Sequence, residues 1–250
     1  MESERLNSRI NFMKVPLDIL EEKNLEEKIL ELLQNDKSNQ IVLLSFADYI
    51  KARNSREFRT LLNKASLVLP SSSLITGGIK FLYGRESSVY INYDLVLKIL
   101  SILERNGKSI YIIGSNRKTI MTSEKNLKDS YPGLHLVGRS SSFYNKESEK
   151  DITLAIKKSS PSLLLAGSGL KGKNYWLYRN CDKFNPGLTL WSPDCFEIFS
   201  GKKKRPSKRV SKRFFSRLGR SILKPWRIFY IFPYLMFHIN LIVYRLFKNK

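Results

Sequence analysis

Short apolar runs rich in Val, Ile and Leu alternate along the chain with stretches in which apolar side chains recur every three or four positions. Runs of the first kind suit strands buried on both faces, and the second pattern suits helices with one apolar face. Residues 10–20 predict an edge strand and turn. Asn24 with Glu27 three positions on has the form of a capping box, and Leu25, Ile29, Leu32 and Leu33 follow at helical spacing. Residues 40–45 predict a strand, 49–63 a helix with Phe58, Leu61 and Leu62 inward, and 66–70 a strand ended by proline. Ser71-Ser72-Ser73 and Gly77-Gly78 predict a loop at that strand's carboxyl end. Residues 89–91 lead into a helix over 93–105, which Gly107 can terminate. Strands at 109–114, 134–138, 162–166 and 187–191 then alternate with helices at 119–128, 151–158 and 175–180.

Such alternation requires crossover connections. The fold class is α/β: a Rossmann-like, mainly parallel sheet with flanking helices over residues 1–200. In sheets of this kind ligands sit beyond the carboxyl ends of the strands. The candidate substrate-binding positions are therefore Ser45, residues 70–73 with Ser72, Gly114-Ser115, Gly138-Arg139, residues 167–173 with Gly167, Gly169 and Lys173, and residues 191–194. A strand-end glycine lets a ligand approach the backbone, and it equally serves a tight turn.

The last fifty residues break this pattern. Residues 201–250 hold fifteen of the 44 Lys and Arg and no Asp or Glu, within a chain of net charge +22. On a helix, Arg209, Arg213, Arg217, Arg220, Lys224 and Arg227 share one narrow arc, opposite Val210, Phe214, Phe215, Leu218, Ile222 and Trp226. Pro225 makes the register beyond it provisional. An aromatic, apolar run over 228–244 follows, shorter than the roughly 20 residues a spanning helix needs and interrupted by Pro233, His238 and Asn240. This is the pattern of a basic, amphipathic membrane-docking appendage lying in the interface of an anionic surface. A helix packed on the body beside a solvated basic face is the alternative. A nucleic-acid arm would explain the charge but not the apolar run, so no nucleic-acid partner is expected.

Composition narrows the chemistry. Cys181 and Cys195 are the only cysteines, so neither a disulfide framework nor a zinc site is indicated. The first residues, Met1 to Arg5, lack the apolar core of a signal peptide, so the body is expected on the cytoplasmic face of the membrane, as a peripheral protein. Residues 167–174, Gly-Ser-Gly-Leu-Lys-Gly-Lys-Asn, come close to the phosphate-cradling GxxxxGK[ST] loop, but Asn174 replaces the hydroxyl that holds magnesium. His135 and His238 have no metal-ligand spacing, and there is no DxD pair and no GxSxG elbow. The expected chemistry is metal-independent and without a cofactor.

Arg56-Glu57-Phe58-Arg59 with Leu62-Asn63-Lys64-Ala65, Leu67-Val68-Leu69-Pro70, Asp94-Leu95, Ile112-Ile113-Gly114, Tyr131-Pro132-Gly133-Leu134 with Val137-Gly138, Gly169 with Trp176, Phe196 with Gly201, and the basic tail occur in this order. Together they resemble the WecG/TagA/CpsF family of bacterial glycosyltransferases, over about residues 10–230. The resemblance implies an α/β body that binds a UDP-sugar and a membrane-associated tail that engages a polyprenyl-diphosphate glycolipid. It further implies transfer of N-acetylmannosamine or a related sugar in cell-surface polysaccharide biosynthesis. Family members can self-associate.

The departures fall on the site. Where the family has Asp-Gly, with the Asp as proposed general base, this chain has Ser71-Ser72. Leu43-Leu44-Ser45 stands for Thr-x-Asn, Lys171-Gly172-Lys173-Asn174 for Pro-Lys-Gln-Glu, Phe196-Glu197 for Phe-Asp, and Val89 for an arginine. A serine hydroxyl accepts no proton at neutral pH without a partner base. Two readings follow. In one, the chain is a transferase with a reworked site: Ser71 and Glu197 are the catalytic candidates, Lys173 or Arg139 balances the leaving diphosphate, Asp94 joins the substrate residues, and Arg205, Arg213, Arg217, Arg220 and Arg227 meet the acceptor diphosphate or the membrane. In the other, it is a catalytically silent relative that binds a glycolipid or a partner glycosyltransferase.

Overall fold

The structure is a computed structural model that describes residues 8–144, 146–205 and 228–248. The arc of arginines at 209–227, including Arg213, Arg217, Arg220 and Arg227, lies outside the described residues.

The chain opens with an antiparallel hairpin, β1 (Ser8–Phe12) and β2 (Val15–Ile19), turned through Met13 and Lys14. Helix α1 (Leu25–Gln34) leads to β3 (Ser38–Leu44). Then come α2 (Phe46–Asn54), α3 (Arg56–Lys64), β4 (Leu67–Pro70), α4 (Ser73–Tyr83) and α5 (Asn92–Arg105). Next are β5 (Ser109–Ile113), α6 (Arg117–Ser130), β6 (His135–Ser140), α7 (Lys146–Ser159), β7 (Leu163–Ala166) and α8 (Asn174–Asn180). The body ends with β8 (Gly187–Trp191) and α9 (Cys195–Phe199), and α10 (Ile228–Lys248) closes the described chain.

Six strands form one parallel sheet in the order β4-β3-β8-β7-β5-β6, as the alternation predicts. Successive residues of each inner strand serve opposite faces. On one side Ile41, Leu43, Leu67, Leu69, Ile110, Ile112, Leu163 and Leu165 pack under α1, α5, α6 and α9. On the other, Val42, Leu44 and Val68 meet the hairpin, α2, α3, α4 and α10, while Tyr111, Ile113, Leu164 and Ala166 meet α7 and α8. Both layers are apolar, which is why the inner strands read as unbroken runs.

The hairpin is joined to the edge strand β4 by a buried carboxylate. Asp18 accepts Arg9 Nε and Nη2 at 3.0 and 2.7 Å and the backbone N–H of Val68 at 2.7 Å; Arg9 also donates to the Ala65 carbonyl at 2.8 Å. Pro70 has no N–H to offer, and its carbonyl accepts Tyr90 N–H at 2.9 Å.

Several local expectations are corrected. The single helix over 49–63 is two, because Ser55 ends α2 and caps α3, accepting Phe58 N–H at 3.2 Å. Asn24 makes no side-chain cap: a 3-10 turn over Glu22–Asn24 already holds it in helical conformation. The reciprocal capping box forms at Ser45 and Asp48 instead. Gly77 and Gly78 lie inside α4 and not in a loop. A Cβ on Gly78 would stand 2.7 Å from Phe12 Cζ and 3.2 Å from both Phe237 and Leu241, so the glycine lets three elements converge.

Those contacts seat α10, which runs through Pro233. Phe237 and Leu241 are buried, Phe237 meets Phe46 and Tyr49 edge-on at 5.2 and 5.5 Å, and Tyr234 stacks on Phe46 at 4.6 Å. The opposite side exposes Phe232, Leu235, Ile239, Ile242, Val243, Leu246 and Phe247. The apolar run is thus packed on the body along one face only. No helix among the described residues is long and apolar enough to cross a membrane.

Two predictions follow from this packing. Gly77→Ala, where a Cβ meets nothing within 4 Å, raises stability by up to about 1 kcal/mol in urea unfolding. Gly78→Ala lowers it by roughly 1–3 kcal/mol through overpacking against Phe12 and Phe237. Burial also pushes the phenols of Tyr49 and Tyr90 up from the usual 10 to about 12. The folded state favours the neutral phenol, so this contribution is complete below pH 10 and lost as pH rises towards about 12. Urea midpoints measured across that window fall, and fall less in Tyr49→Phe.

Candidate active site

The chain leaves β5 towards β6 and leaves β7 towards β8, in opposite directions across the sheet. The crevice between their carboxyl ends is a topological switch point, the usual ligand position in an open α/β sheet. Two of the sequence candidates meet here, Gly114-Ser115 and residues 167–173. A Cβ on Gly114 would lie 2.8 Å from the Phe196 ring and 2.9 Å from Gly167 Cα; one on Gly167 would lie 2.3 Å from Phe196. Only glycines allow these two loops to close over that ring.

Hydrogen bonds fix the loops in place. Ser115, at φ +51°, donates its N–H to Ser168 O at 2.6 Å, and Ser142 N–H donates to Ser115 O at 3.0 Å. The Ser142 hydroxyl is 3.1 and 3.0 Å from the carbonyls of Ser115 and Ser168. Gly169 passes so close to Ser142, at φ +81°, that a side chain has no room.

Glu197, on α9, accepts a hydrogen bond from the Ser168 hydroxyl through Oε1, while its buried Oε2 has no partner. Two further buried polar atoms, Asn174 Oδ1 at the start of α8 and Trp191 Nε1 at the end of β8, also lack partners. Buried groups of this kind are normally satisfied, so each of these open atoms leaves a place for a water or a polar ligand atom. Lys173 Nζ lies 5.5 Å from the Trp191 ring centre, which places a cation beside that ring. The neighbouring Cys195 thiol is fully buried and burial pushes its pKa up, away from nucleophilic use.

Beyond β8, Ser192 donates to Asn92 Oδ1, and Lys203 Nζ lies 2.6 Å from Asp194. Asp94 pairs with Arg205 at 2.7 Å, with the guanidinium 5.7 Å from the Tyr93 ring. The described start of the basic tail is therefore tied to the amino end of α5.

Other candidates have structural occupations. Ser45 is the cap of α2. Gly138 and Arg139 lie inside β6, which continues to Ser140, and not at its end as expected; a Cβ on Gly138 would meet the Tyr111 ring at 2.4 Å, and Arg139 pairs with Glu124. Residues 167–174 lead into a helix of only seven residues, and Lys173 caps it at a positive φ of +52° with no side-chain cap bond. Ser71 and Ser72 lie beyond β4, whose end is three strand positions from β7, on the order of 14 Å. Ser71 and Glu197 are thus not brought together. Sequence distance hid one neighbour of the serine loop: His238 of α10 lines the same cavity as Ser73. Among the described residues, no three His, Cys, Asp or Glu side chains gather as a metal site.

A parallel sheet with polar, glycine-lined loops at its switch point defines an α/β protein of the ligand-binding, doubly wound class. Within that class the chain belongs to the glycosyl transferase WecG/TagA/CpsF family, which it matches over residues 10–250. Two curated relatives are similar. An N-acetylglucosaminyldiphosphoundecaprenol N-acetyl-beta-D-mannosaminyltransferase of Bacillus subtilis is 22% identical over 217 residues, 84% of this chain and 78% of the relative. A protein of the same name from Bacillus spizizenii is 20% identical over 173 residues, 69% of this chain and 66% of the relative.

The close approach at the switch point is testable. Gly167→Ala forces Phe196 aside and lowers stability by roughly 1–3 kcal/mol, read by thermal or urea unfolding. Asp94→Asn, at an exposed pair, changes it by less than about 1 kcal/mol.

Proposed function

We propose that this protein transfers a sugar of the N-acetylmannosamine type from a UDP-sugar to a polyprenyl-diphosphate-linked acceptor at a membrane surface. The observation that carries the reading is the extent of the family match, which runs from the hairpin through the sheet to α10. The two relatives named for this transfer, to an acceptor on undecaprenol, support the choice of donor sugar and acceptor lipid.

In such a transfer an acceptor hydroxyl attacks the anomeric carbon, its proton passes to a base, and UDP departs with the bonding electrons. We assign the base to Glu197; the support is that Oε1 accepts from Ser168 while Oε2 has no partner. Lys173 supplies positive charge towards the departing diphosphate. Arg139 is committed to Glu124 and is less suited to that role. In this reading the exposed apolar face of α10 lies in the interface of the cytoplasmic leaflet, and the positive charge of the sequence before it adds attraction to an anionic surface.

The silent-relative reading draws on a specific observation: neither Ser71 nor Ser72 brings a carboxylate to the end of β4, where the family resemblance expects one. Assay of full-length protein with UDP-N-acetylmannosamine and a polyprenyl-diphosphate N-acetylglucosamine acceptor separates the two. Turnover is expected, with Glu197→Gln lowering kcat by about 10²–10⁴ while UDP binding persists. UDP-sugar binding without turnover would favour the silent relative, and absence of both would overturn the proposal.

A further inference from the structure

We propose that the seam between α4 and α10 holds the first isoprenoid units of the acceptor lipid; this rests on the function proposed above and gives the lipid part of that substrate a place. The seam contains a cavity of about 340 Å³ whose walls are Leu74, Phe81, Phe237, Leu241 and Ile242, with the Gly77 backbone as floor. A Cβ on Gly77 would meet nothing within 4 Å, so the floor is open because the residue there has no side chain.

The cavity has a direction. Gly78 touches Phe237 and Leu241, and Arg245 lies further along α10, 4.5 Å from the centre of the Phe81 ring; the two helices therefore run the same way. Ser73 and His238 belong to one end of the seam and Phe81 and Ile242 to the other. The polar end adjoins Ser71 and Ser72 at the carboxyl mouth of β4. His238 Nδ1 is 2.7 Å from the Tyr234 carbonyl, to which it donates, leaving Nε2 as the open ring nitrogen. The amino end of α4 carries the positive end of its helix dipole, which favours a diphosphate there. A chain lying in the seam with its head at this end delivers the attached sugar to the mouth of the sheet.

Continuity identifies the occupant. Ile242 both lines the cavity and is 55% exposed, in register with the apolar face of Leu235, Ile239 and Leu246. A hydrocarbon chain thus passes from a bilayer under that face into the seam without crossing water. The cavity on the other flank of α10, of similar volume, is bordered by Arg53, Asn54 and Asn240 and suits a chain less well. Among membrane chains, the polyprenyl one alone has a head group that must reach the strand ends.

Binding to full-length protein tests this without requiring turnover. Farnesyl diphosphate, below its micellar concentration, is compared with inorganic diphosphate and dodecyl phosphate by calorimetry. Wild type is expected to bind farnesyl diphosphate roughly tenfold tighter than inorganic diphosphate. Gly77→Leu, which fills the floor, and Ile242→Trp, which blocks the opposite wall, remove that difference while unfolding no earlier than wild type. Equal affinity for farnesyl and inorganic diphosphate, or an unchanged difference in both variants, overturns the proposal. So does dodecyl phosphate binding as well as farnesyl diphosphate, which marks a site for phospholipid acyl chains. Chain-dependent binding with no response to any UDP-sugar would leave the seam standing and remove the transferase reading; the converse pair of results does the opposite.

Discussion

The packing of Phe196 beneath Gly114 and Gly167 is the constraint on which the candidate site depends. The ring is fully buried, and it fits because Gly114 and Gly167, the loop residues above it, carry no Cβ. Ser123 donates to the Phe196 carbonyl at 2.8 Å and Asn126 to that of Phe199 at 2.7 Å, so α9 is held against α6 from its other side. Glu197 takes its position from the residue before it. Its orientation is therefore set by core packing, and the loops at the switch point share that same anchor. Lys203 and Arg205 follow a few residues later, which ties the origin of the basic tail to the same fixed point.

The last helix obeys a different constraint. A helix that is apolar around much of its circumference needs an apolar partner on each side. The body supplies one through Phe12, Phe46, Tyr49 and Gly78. The other side has no protein partner among the described residues, and the proposal above gives that exposed apolar face a lipid surface. On the membrane placement proposed above, contacts with the core and with the lipid would be borne by one helix, so its depth would also set the height of the sheet above the surface.

The sheet was legible because its inner strands are short apolar runs buried on both faces, separated by helical spacing and turn residues. What local pattern misreads is glycine and serine whose purpose is tertiary. Gly77-Gly78 reads as a turn, but Gly78 exists for the convergence of Phe12, Phe237 and Leu241, which are remote in sequence. Gly138 reads as a strand end, but it makes room for Tyr111 on the adjacent strand. Ser55 splits a helix whose apolar spacing continues across it. Within the site, the glycine loops at 114 and 167 and the carboxylate at 197 were visible. The proximity of His238 to the serine loop was not, since α10 reaches it only through packing. Nor could sequence show that Asn174, Trp191 and Glu197 each leave a buried polar atom open.

The edge at β4 carries a consequence for assembly. An edge strand normally offers a row of free donors and acceptors to any extended segment that meets it. Here Asp18 occupies the Val68 N–H, Tyr90 occupies the Pro70 carbonyl, and the proline withholds a donor altogether. A foreign strand arriving at this side finds these two rungs already taken. Copies of this chain joined by a continuous sheet would have to meet through β6, and two β6 edges brought together would leave both β4 edges facing outward and inert, so such growth stops at a pair.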